Sequence, residues 1–183
     1  MNYIVSGLER SGTSLMMAIL EAGGFPVAYD ESRKPDESNP KGYYELFGGK
    51  IINRLMENEV YMHLYDESAI KITSVGLTFL PREYDYRIIY MERDIKEVKM
   101  SMQKMAKEKL ADNLEELLHT ENVFLKDYMD ESGYEYIVVN YNSLLTNPGK
   151  EIKRVSDFCG GIDIEKAETV IDRKLYRNRK EEK

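Results

Sequence analysis

Cysteine is almost absent from this sequence, and long apolar runs are missing altogether. The single cysteine, Cys159, excludes an intramolecular disulfide and fits a reducing compartment, so we expect it to be a small core residue. No stretch approaches the roughly 18 consecutive apolar residues that a membrane-spanning helix needs. Strand-like residues begin at position 3, so we expect no signal peptide, and there is no N-x-[ST] sequon. These absences predict a cytoplasmic protein without a membrane partner.

Basic residues are also relatively few: the sequence has 26 of them and 33 acidic residues, which gives a net charge of −7. We therefore expect no nucleic-acid partner. The rest of the composition is that of a globular protein, with 42% hydrophobic residues. The length suits one domain over residues 1–183, and no internal repeat divides it. Nothing in the composition specifies an oligomeric state.

Short runs of β-branched and aromatic residues alternate with helical segments along the chain. The five strand candidates are residues 3–5, 25–29, 69–73, 86–91 and 135–140. Strands that alternate with helices form βαβ crossovers and a parallel sheet. We therefore predict an α/β fold with three αβα layers around a mostly parallel sheet of about five strands. Between these strands we expect helices over residues 45–59, 111–132 and 162–177, among others.

A glycine-containing polar turn follows the first strand and precedes an apolar helical segment. Gly7 and Gly12 have the spacing of an ATP-type P-loop, but Thr13 stands where that loop has its lysine. The cation of this turn is instead Arg10, and its other polar side chains are hydroxyls: Ser11, Thr13 and Ser14. Backbone amides at a helix N-terminus with a bidentate arginine suit one terminal phosphate better than a triphosphate with Mg²⁺. A serine-rich turn that binds nothing is the alternative.

The segment Arg10-Ser11-Gly12-Thr13-Ser14-Leu15 resembles the 5′-phosphosulfate loop of sulfotransferases that use 3′-phosphoadenosine 5′-phosphosulfate (PAPS). That loop usually reads Pro-(Arg/Lys)-Ser-Gly-Thr-(Thr/Ser), and this chain differs from it at Glu9. The segment 39–45, Asn-Pro-Lys-Gly-Tyr-Tyr-Glu, is a second resemblance, to bacterial sulfotransferase-like proteins. The resemblance implies a fold like that of P-loop NTPases, with PAPS as co-substrate and PAP (adenosine 3′,5′-bisphosphate) as product. It also implies that residues 10–14 bind the 5′-phosphosulfate.

An arginine and a serine behind the fourth strand candidate match the family's 3′-phosphate site. Arg93 follows the strand, and Ser101 comes eight residues later within a helix that Asp94 is placed to cap. The alternative is a surface arginine with an unrelated helical serine. Tyr141, after the last strand, resembles the family tyrosine near the adenine, although a core tyrosine would look the same in the sequence.

Three residues are candidates for the chemistry of transfer. Lys71, inside a strand candidate, resembles the family lysine near the transferred group, although a solvated lysine is an equal alternative. Some family members have a catalytic histidine two residues later, where this chain has Thr73. His63 and His119 lie far from any motif, so we expect a carboxylate to be the general base. The candidates are Glu31, which resembles a tyrosylprotein sulfotransferase glutamate, and Glu45.

The resemblance implies in-line transfer of a sulfuryl group from PAPS to a hydroxyl or amine of a small-molecule acceptor. We expect no metal, because cations and N–H donors of the protein can stabilise the developing charge. The loop at residues 30–42 and the pair Tyr43 and Tyr44 are expected to shape the acceptor pocket. Arg173 or Arg177 of the basic C-terminal segment is a weaker candidate for covering the nucleotide. A kinase on the same fold and a PAP-binding protein without catalysis are the alternatives.

Overall fold

A parallel sheet forms the centre of the protein. The structure, a computed structural model, describes residues 1–172. Within these residues the sheet has four strands: β1 (Asn2–Gly7), β2 (Ala69–Lys71), β3 (Tyr86–Glu92) and β4 (Glu135–Asn140). Their order is β2-β1-β3-β4, and every pair is parallel. The central position of β1 explains why all six of its residues are buried.

The prediction of a fifth strand at residues 25–29 is wrong. This segment makes one isolated bridge with the sheet edge, between Val27 and Ala69. The Ala69 N–H donates to the carbonyl of Pro26, and the Ala28 N–H donates to the carbonyl of Ala69. Pro26 has no N–H for a rung before this bridge, and the Asp30 N–H after it donates to the carbonyl of Glu45, so the pairing stops after one residue. The chain still runs beside β2 at this point.

Helices cover both faces of the sheet. The described part of the chain has seven α-helices: α1 (Thr13–Ala22), α2 (Ile51–Met56), α3 (Ile95–Ala106), α4 (Leu114–Glu131), α5 (Tyr141–Thr146), α6 (Pro148–Cys159) and α7 (Ile164–Glu168). Val5 and Ile89 pack with α1, α5, α6 and α7, whereas their neighbours Ile4 and Ile88 pack with α2 and α4. This alternation places one apolar core on each face of the sheet. The predicted three-layer αβα fold is therefore confirmed.

Several elements depart from the predicted boundaries. The helix expected at 45–59 is divided into a 3₁₀ turn at Phe47–Gly49 and the short α2, since Gly48 and Gly49 both adopt positive φ angles. The final helix is confined to α7 within the described residues, and Arg173 and Arg177 lie outside them. Cys159 is buried, and burial raises the pKa of its thiol to about 12. None of the helices in residues 1–172 could span a membrane.

The strand ends place the functional candidates at one edge of the sheet. The polar turn follows β1, Lys71 ends β2, Arg93 follows β3, and Tyr141 follows β4. Because the strands are parallel, their carboxyl ends meet at the same edge, where open α/β sheets form their ligand sites. This edge of the sheet is therefore the place to look for a functional site.

Candidate active site

The turn between β1 and α1 approaches its neighbours so closely that it needs glycine at two positions. A Cβ atom on Gly7 would lie 2.3 Å from the carbonyl oxygen of Met91 on β3. A Cβ atom on Gly12 would lie 2.4 Å from Cδ2 of Tyr141, and Gly12 has a φ of 105°. Glycine alone fits both the space and the backbone angle. At Gly12 no side chain separates the backbone of the turn from the Tyr141 ring, and α1 begins directly after this turn.

A cleft of about 200 Å³ lies over this turn. Five basic side chains among residues 1–172 line it: Arg10, Arg33, Lys41, Lys71 and Arg93. Three acidic ones share it: Glu9, Glu45 and Asp172. Its apolar wall consists of Leu15, Ala18, Met105, Leu145 and Val170. A cleft with more basic than acidic lining groups, on a chain of net charge −7, favours an anionic ligand that also carries an apolar part.

Arg10, Arg93 and Ser101 all line the cleft, and hydrogen bonds connect Arg10 with the other two. The Arg10 Nε atom donates to Ser101 Oγ at 3.0 Å, and its Nη2 atom donates to the carbonyl of Ser38 at 2.9 Å. Arg93 Nη1 donates to the backbone carbonyl of Arg10 at 3.2 Å. The turn after β1 and the start of α3 therefore form a single basic cluster.

A buried acidic residue, Glu97, forms an ion pair with Arg93. Arg93 Nε donates to Glu97 Oε2 at 3.1 Å, one helical turn along α3, and both side chains are almost fully buried. The Nδ2 atom of Asn142 is 3.4 Å from Glu97 Oε1. The Arg93 guanidinium also lies 4.4 Å from the ring centroid of Tyr141. Contacts from α3 and α5 thus fix this guanidinium.

Lys71 also lines the cleft and belongs to a second polar network. Its Nζ atom donates to Glu45 Oε1 at 2.9 Å, to Ser14 Oγ at 3.3 Å and to the carbonyl of Tyr43. Arg33 Nη1 donates to the other oxygen of Glu45 at 2.8 Å, and its guanidinium stacks 3.6 Å from the Tyr43 ring centroid. Glu45 therefore bridges two cations beside the helix that follows the glycine turn.

Burial changes the proton affinity of two of these cations. It lowers the pKa of Lys71, and the nearby carboxylate of Glu45 opposes part of that change. Burial also lowers the pKa of Arg10, which the Arg93 charge lowers further, while Tyr43 and Asp36 act in the opposite direction. Because the Arg93 charge disfavours that of Arg10, an anion bound beside Arg10 would stabilise the charged guanidinium.

The structure brings most of the predicted residues to the cleft but leaves Glu31 and Ser11 outside its lining. The cleft is lined by Arg10, Gly12, Thr13, Ser14, Glu45, Lys71, Thr73, Arg93, Ser101 and Tyr141. Glu31 lies on an exposed loop outside the lining, and His63 and His119 are exposed elsewhere. Ser11 is buried beneath the turn, and its Oγ atom has no hydrogen-bond partner among the described residues.

Sequence reasoning missed several groups that the structure adds. Glu97 was not among the predicted site residues, although its position four residues after Arg93 is the spacing of a helical ion pair. Arg33 carries no signal of its own, because its role comes from contacts with residues ten and twelve positions away. The apolar wall joins α1, α5 and the segment after α7, which only the tertiary fold places together.

The fold and the cleft define an α/β protein of the P-loop type with a site for an anionic ligand. A family model described as a sulfotransferase domain matches residues 2–183, so the chain belongs to the sulfotransferase family. No curated protein sequence matches the chain.

Several solved structures resemble it, among them the following two. The first is the sulfotransferase domain of the Synechococcus PCC 7002 olefin synthase, with 17% identity and a TM-score of 0.58; the match covers 100% of this chain and 78% of that one. The second is retinol dehydratase in complex with androsterone and the inactive cofactor PAP, with 16% identity and a TM-score of 0.54. That match covers 92% of this chain but only 62% of retinol dehydratase. At such identities the likeness shows the fold.

Proposed function

We propose that this protein transfers a sulfuryl group from PAPS to a hydroxyl or amine of a small-molecule acceptor. One observation carries the proposal: a single cleft holds two separate basic clusters. Arg10, Arg93 and Ser101 form one of them, and Lys71 beside the glycine turn forms the other. PAPS carries one phosphate on its 3′ oxygen and a phosphosulfate on its 5′ oxygen, so it has an anion for each cluster. Family membership supports the same reaction.

The nucleotide contacts follow from the chemistry of the lining groups. We assign the 5′-phosphosulfate to the backbone amides at the start of α1 and to the hydroxyls that line the cleft there, which belong to Thr13 and Ser14. The apolar wall suits the adenine, with Tyr141 beside it. Retinol dehydratase, which shares the fold, is seen with PAP and a small steroid, and this supports both the nucleotide and the kind of acceptor.

The reaction moves one group between two oxygens, or from oxygen to nitrogen. The acceptor atom forms a bond to sulfur as the bond between sulfur and the 5′-phosphate oxygen breaks, and PAP leaves with that electron pair. We assign Lys71 to the charge that develops on the sulfuryl and leaving oxygens. Glu45, which lies in the cleft 2.9 Å from Lys71, receives the acceptor proton in place of the exposed Glu31. No step needs a metal.

Two features favour this reaction over phosphoryl transfer by a kinase. Thr13 occupies the place of the P-loop lysine that would reach the β- and γ-phosphates of ATP. All phosphates of ATP are in one chain on its 5′ oxygen, so ATP has no separate anion for the basic cluster at Ser101. We further propose that residues 1–183 act as one cytoplasmic domain without nucleic-acid or membrane partners, on the grounds of its charge and its single cysteine.

Calorimetry and a transfer assay test the proposal. PAP should bind without Mg²⁺ and more tightly than ATP, and ³⁵S from labelled PAPS should appear in an acceptor from a metabolite mixture.

Lys71→Met should abolish transfer while PAP still binds. Lys126→Met is the matched control, because Lys126 pairs with Glu92 outside the cleft. Preference for ATP with Mg²⁺ would indicate a kinase, and PAP binding without transfer would indicate a binding protein.

A further inference from the structure

Arg33 is the more exposed of the two cations that contact Glu45. The side chains of Lys71 and Glu45 are 5% and 14% exposed, whereas that of Arg33 is 41% exposed. Arg33 lines the cleft from the loop at residues 30–42, and Glu45 connects it with Lys71 at the end of β2. A ligand that enters this part of the cleft from solvent therefore has readier access to Arg33 than to Lys71.

Aromatic stacking holds the Arg33 side chain in place. Its guanidinium lies 3.6 Å from the ring centroid of Tyr43, and the Tyr43 hydroxyl lies 2.8 Å from both carboxylate oxygens of Asp36. Asp36 also accepts from the backbone N–H groups of Ser38 and Asn39 at 2.8 and 3.0 Å. Arg33 is thus stacked on a ring that is itself hydrogen-bonded to the loop. A side chain held in this way loses little conformational entropy when it binds a ligand.

The groups around Arg33 in the cleft lining have one more positive than negative charge. Glu45 is shared by Lys71 and Arg33, and one carboxylate neutralises one of these two cations. Asp36, which contacts Tyr43, does not line the cleft. A guanidinium has five N–H donors, and the Glu45 contact uses one of them at Nη1. Arg33 can therefore bind a second anion beside Glu45.

The proposed reaction brings the acceptor next to these charges. Its hydroxyl faces Glu45, whose Oε2 atom is 2.8 Å from Arg33 Nη1. An aliphatic amine would arrive as an ammonium at neutral pH, and Lys71 and Arg33 would repel it. A carboxylate elsewhere on the acceptor would be attracted by Arg33. It also matches the surplus of one positive charge better than a phosphate monoester does, because that group is close to a dianion at neutral pH.

We infer that the acceptor is a small hydroxy acid, whose carboxylate is bound by Arg33 while Glu45 receives the proton of its hydroxyl. This inference rests on the proposed function and narrows the acceptor from a hydroxyl or amine to a hydroxyl compound with a carboxylate. Arg33 is then a specificity-determining residue that takes no part in the transfer itself. Arginine suits this role, because its planar group can contact two carboxylates at once.

Binding of matched acids and amides to the PAP-loaded protein tests the inference. The probes are two pairs, 4-hydroxybenzoate with 4-hydroxybenzamide and lactate with lactamide, whose members differ chiefly in charge. In calorimetric titrations wild type should bind each acid about tenfold more tightly than its amide, since a hydrogen bond to a charged group is gained. Arg33→Gln should reduce that ratio to less than about twofold by weakening acid binding alone. Arg33→Lys should keep part of the ratio, because lysine retains the charge without the planar group.

Arg54→Gln is the matched control. Arg54 pairs with Glu59, lies 4.5 Å from the ring centroid of Phe47 and is 45% exposed, but it does not line the cleft. The ratio of acid to amide affinity and the affinity for PAP should therefore both stay as in wild type. Melting temperatures verify that each variant is folded.

The outcomes separate this inference from the proposed function. Equal weakening of acid and amide in Arg33→Gln would overturn the inference and leave Arg33 with the role of positioning Glu45. Equal affinities for acid and amide in wild type, or no binding of any probe, would also overturn it, although PAP binding would stand. A wild type that does not bind PAP would overturn the proposed function itself.

Discussion

Arg10 Nε and Ser101 Oγ lie 3.0 Å apart although 91 positions separate the two residues. Arg10 follows β1 and Ser101 lies two turns into α3, which follows β3. The contact forms because β1 and β3 are neighbours in the sheet, so the groups after their carboxyl ends meet. A phosphate bound here would contact residues from both crossovers, and its binding energy would depend on the relative position of the two strands.

Ser101→Ala should weaken PAP binding by about tenfold, because a hydrogen bond to a charged group is lost. Binding of adenosine 5′-phosphate should change less than about twofold, since that ligand has no group at this end. Isothermal titration measures both. Ser156→Ala is the control, because Ser156 is also a buried helical serine, but within residues 1–172 its side chain hydrogen-bonds only to the Ile162 backbone. Equal weakening of both nucleotides would contradict a 3′-phosphate role for Ser101.

Local sequence patterns predicted the elements whose residues interact with close neighbours. The candidates at 86–91 and 135–140 became β3 and β4, and the predicted capping of α3 by Asp94 is seen in its contact with the Lys96 N–H. The strand at 25–29 failed because Pro26 lacks an N–H and the Asp30 N–H donates to Glu45, which limits pairing to one bridge. The sheet order could not be predicted in this way, because it depends on which strand edges meet after the crossovers have folded.

Prediction of the site from the sequence is limited in the same way. Spacing after a strand indicated that Arg93 and Ser101 belong to one crossover, and both residues line the cleft. The sequence did not decide whether Glu31 or Glu45 would line the cleft. Glu45 lies in the lining because Lys71 and Arg33, from distant parts of the chain, both contact it. Such a choice depends on long-range ion pairs, for which sequence spacing carries no information.

Glu45→Gln should lower turnover by about 10²-fold or more, because the proposed proton acceptor is removed. PAP binding should persist, since the amide still accepts a hydrogen bond from Lys71. Glu31→Gln is the matched variant and should change turnover less than about twofold, because its side chain is exposed outside the cleft. Steady-state assays at saturating PAPS measure both. Loss of turnover in Glu31→Gln alone would reverse the assignment.

The alkaline limb of the pH–rate profile should report on Lys71. Burial lowers its pKa below the ordinary lysine value of 10.5, so its charge is lost at a lower pH in the folded protein. Between the folded and the ordinary value the unfolded chain binds more protons, so the free energy of unfolding rises with pH. Over the same window activity should fall, because transfer needs the charged form.

Lys71→Arg provides the comparison, since a guanidinium stays protonated at these pH values. Its alkaline limb should move to higher pH even if its maximal rate is lower. The measurement is kcat/KM for both proteins from neutral pH to the upper limit of stability. An identical alkaline limb in the two proteins would show that another group titrates there.

Gly12→Ala should destabilise the protein by roughly 3 kcal/mol and abolish nucleotide binding. Its φ of 105° disfavours any side chain, and the new Cβ would lie 2.4 Å from Tyr141 Cδ2. Gly24→Ala separates the two causes, because Gly24 has a φ of 85° but nothing within 4 Å of a Cβ. Gly24→Ala should lower the free energy of unfolding only by the cost of the strained backbone angle, about 1 kcal/mol. Equal losses by urea unfolding would show that the approach of Tyr141 is unimportant.

Glu97→Ala should be one of the most destabilising single changes in the described chain. It removes the carboxylate that Arg93 Nε contacts in a buried pair, and breaking such a pair costs about 3–5 kcal/mol. Glu92→Ala is the control, since Glu92 pairs with Lys126 at a half-exposed position and should lose about 1 kcal/mol or less. Urea unfolding at neutral pH compares them. A smaller loss for Glu97 than for Glu92 would contradict this interpretation.

The double variant Arg93→Met with Glu97→Leu extends the argument. Replacing a whole buried ion pair by apolar residues is often neutral, so the double variant should recover much of the stability that Glu97→Ala loses. It should nevertheless lose the preference for PAP over adenosine 5′-phosphate, because one guanidinium at the 3′ end has gone. Recovery of stability together with loss of that preference would mean that the Arg93–Glu97 pair serves ligand recognition and is not required by the fold.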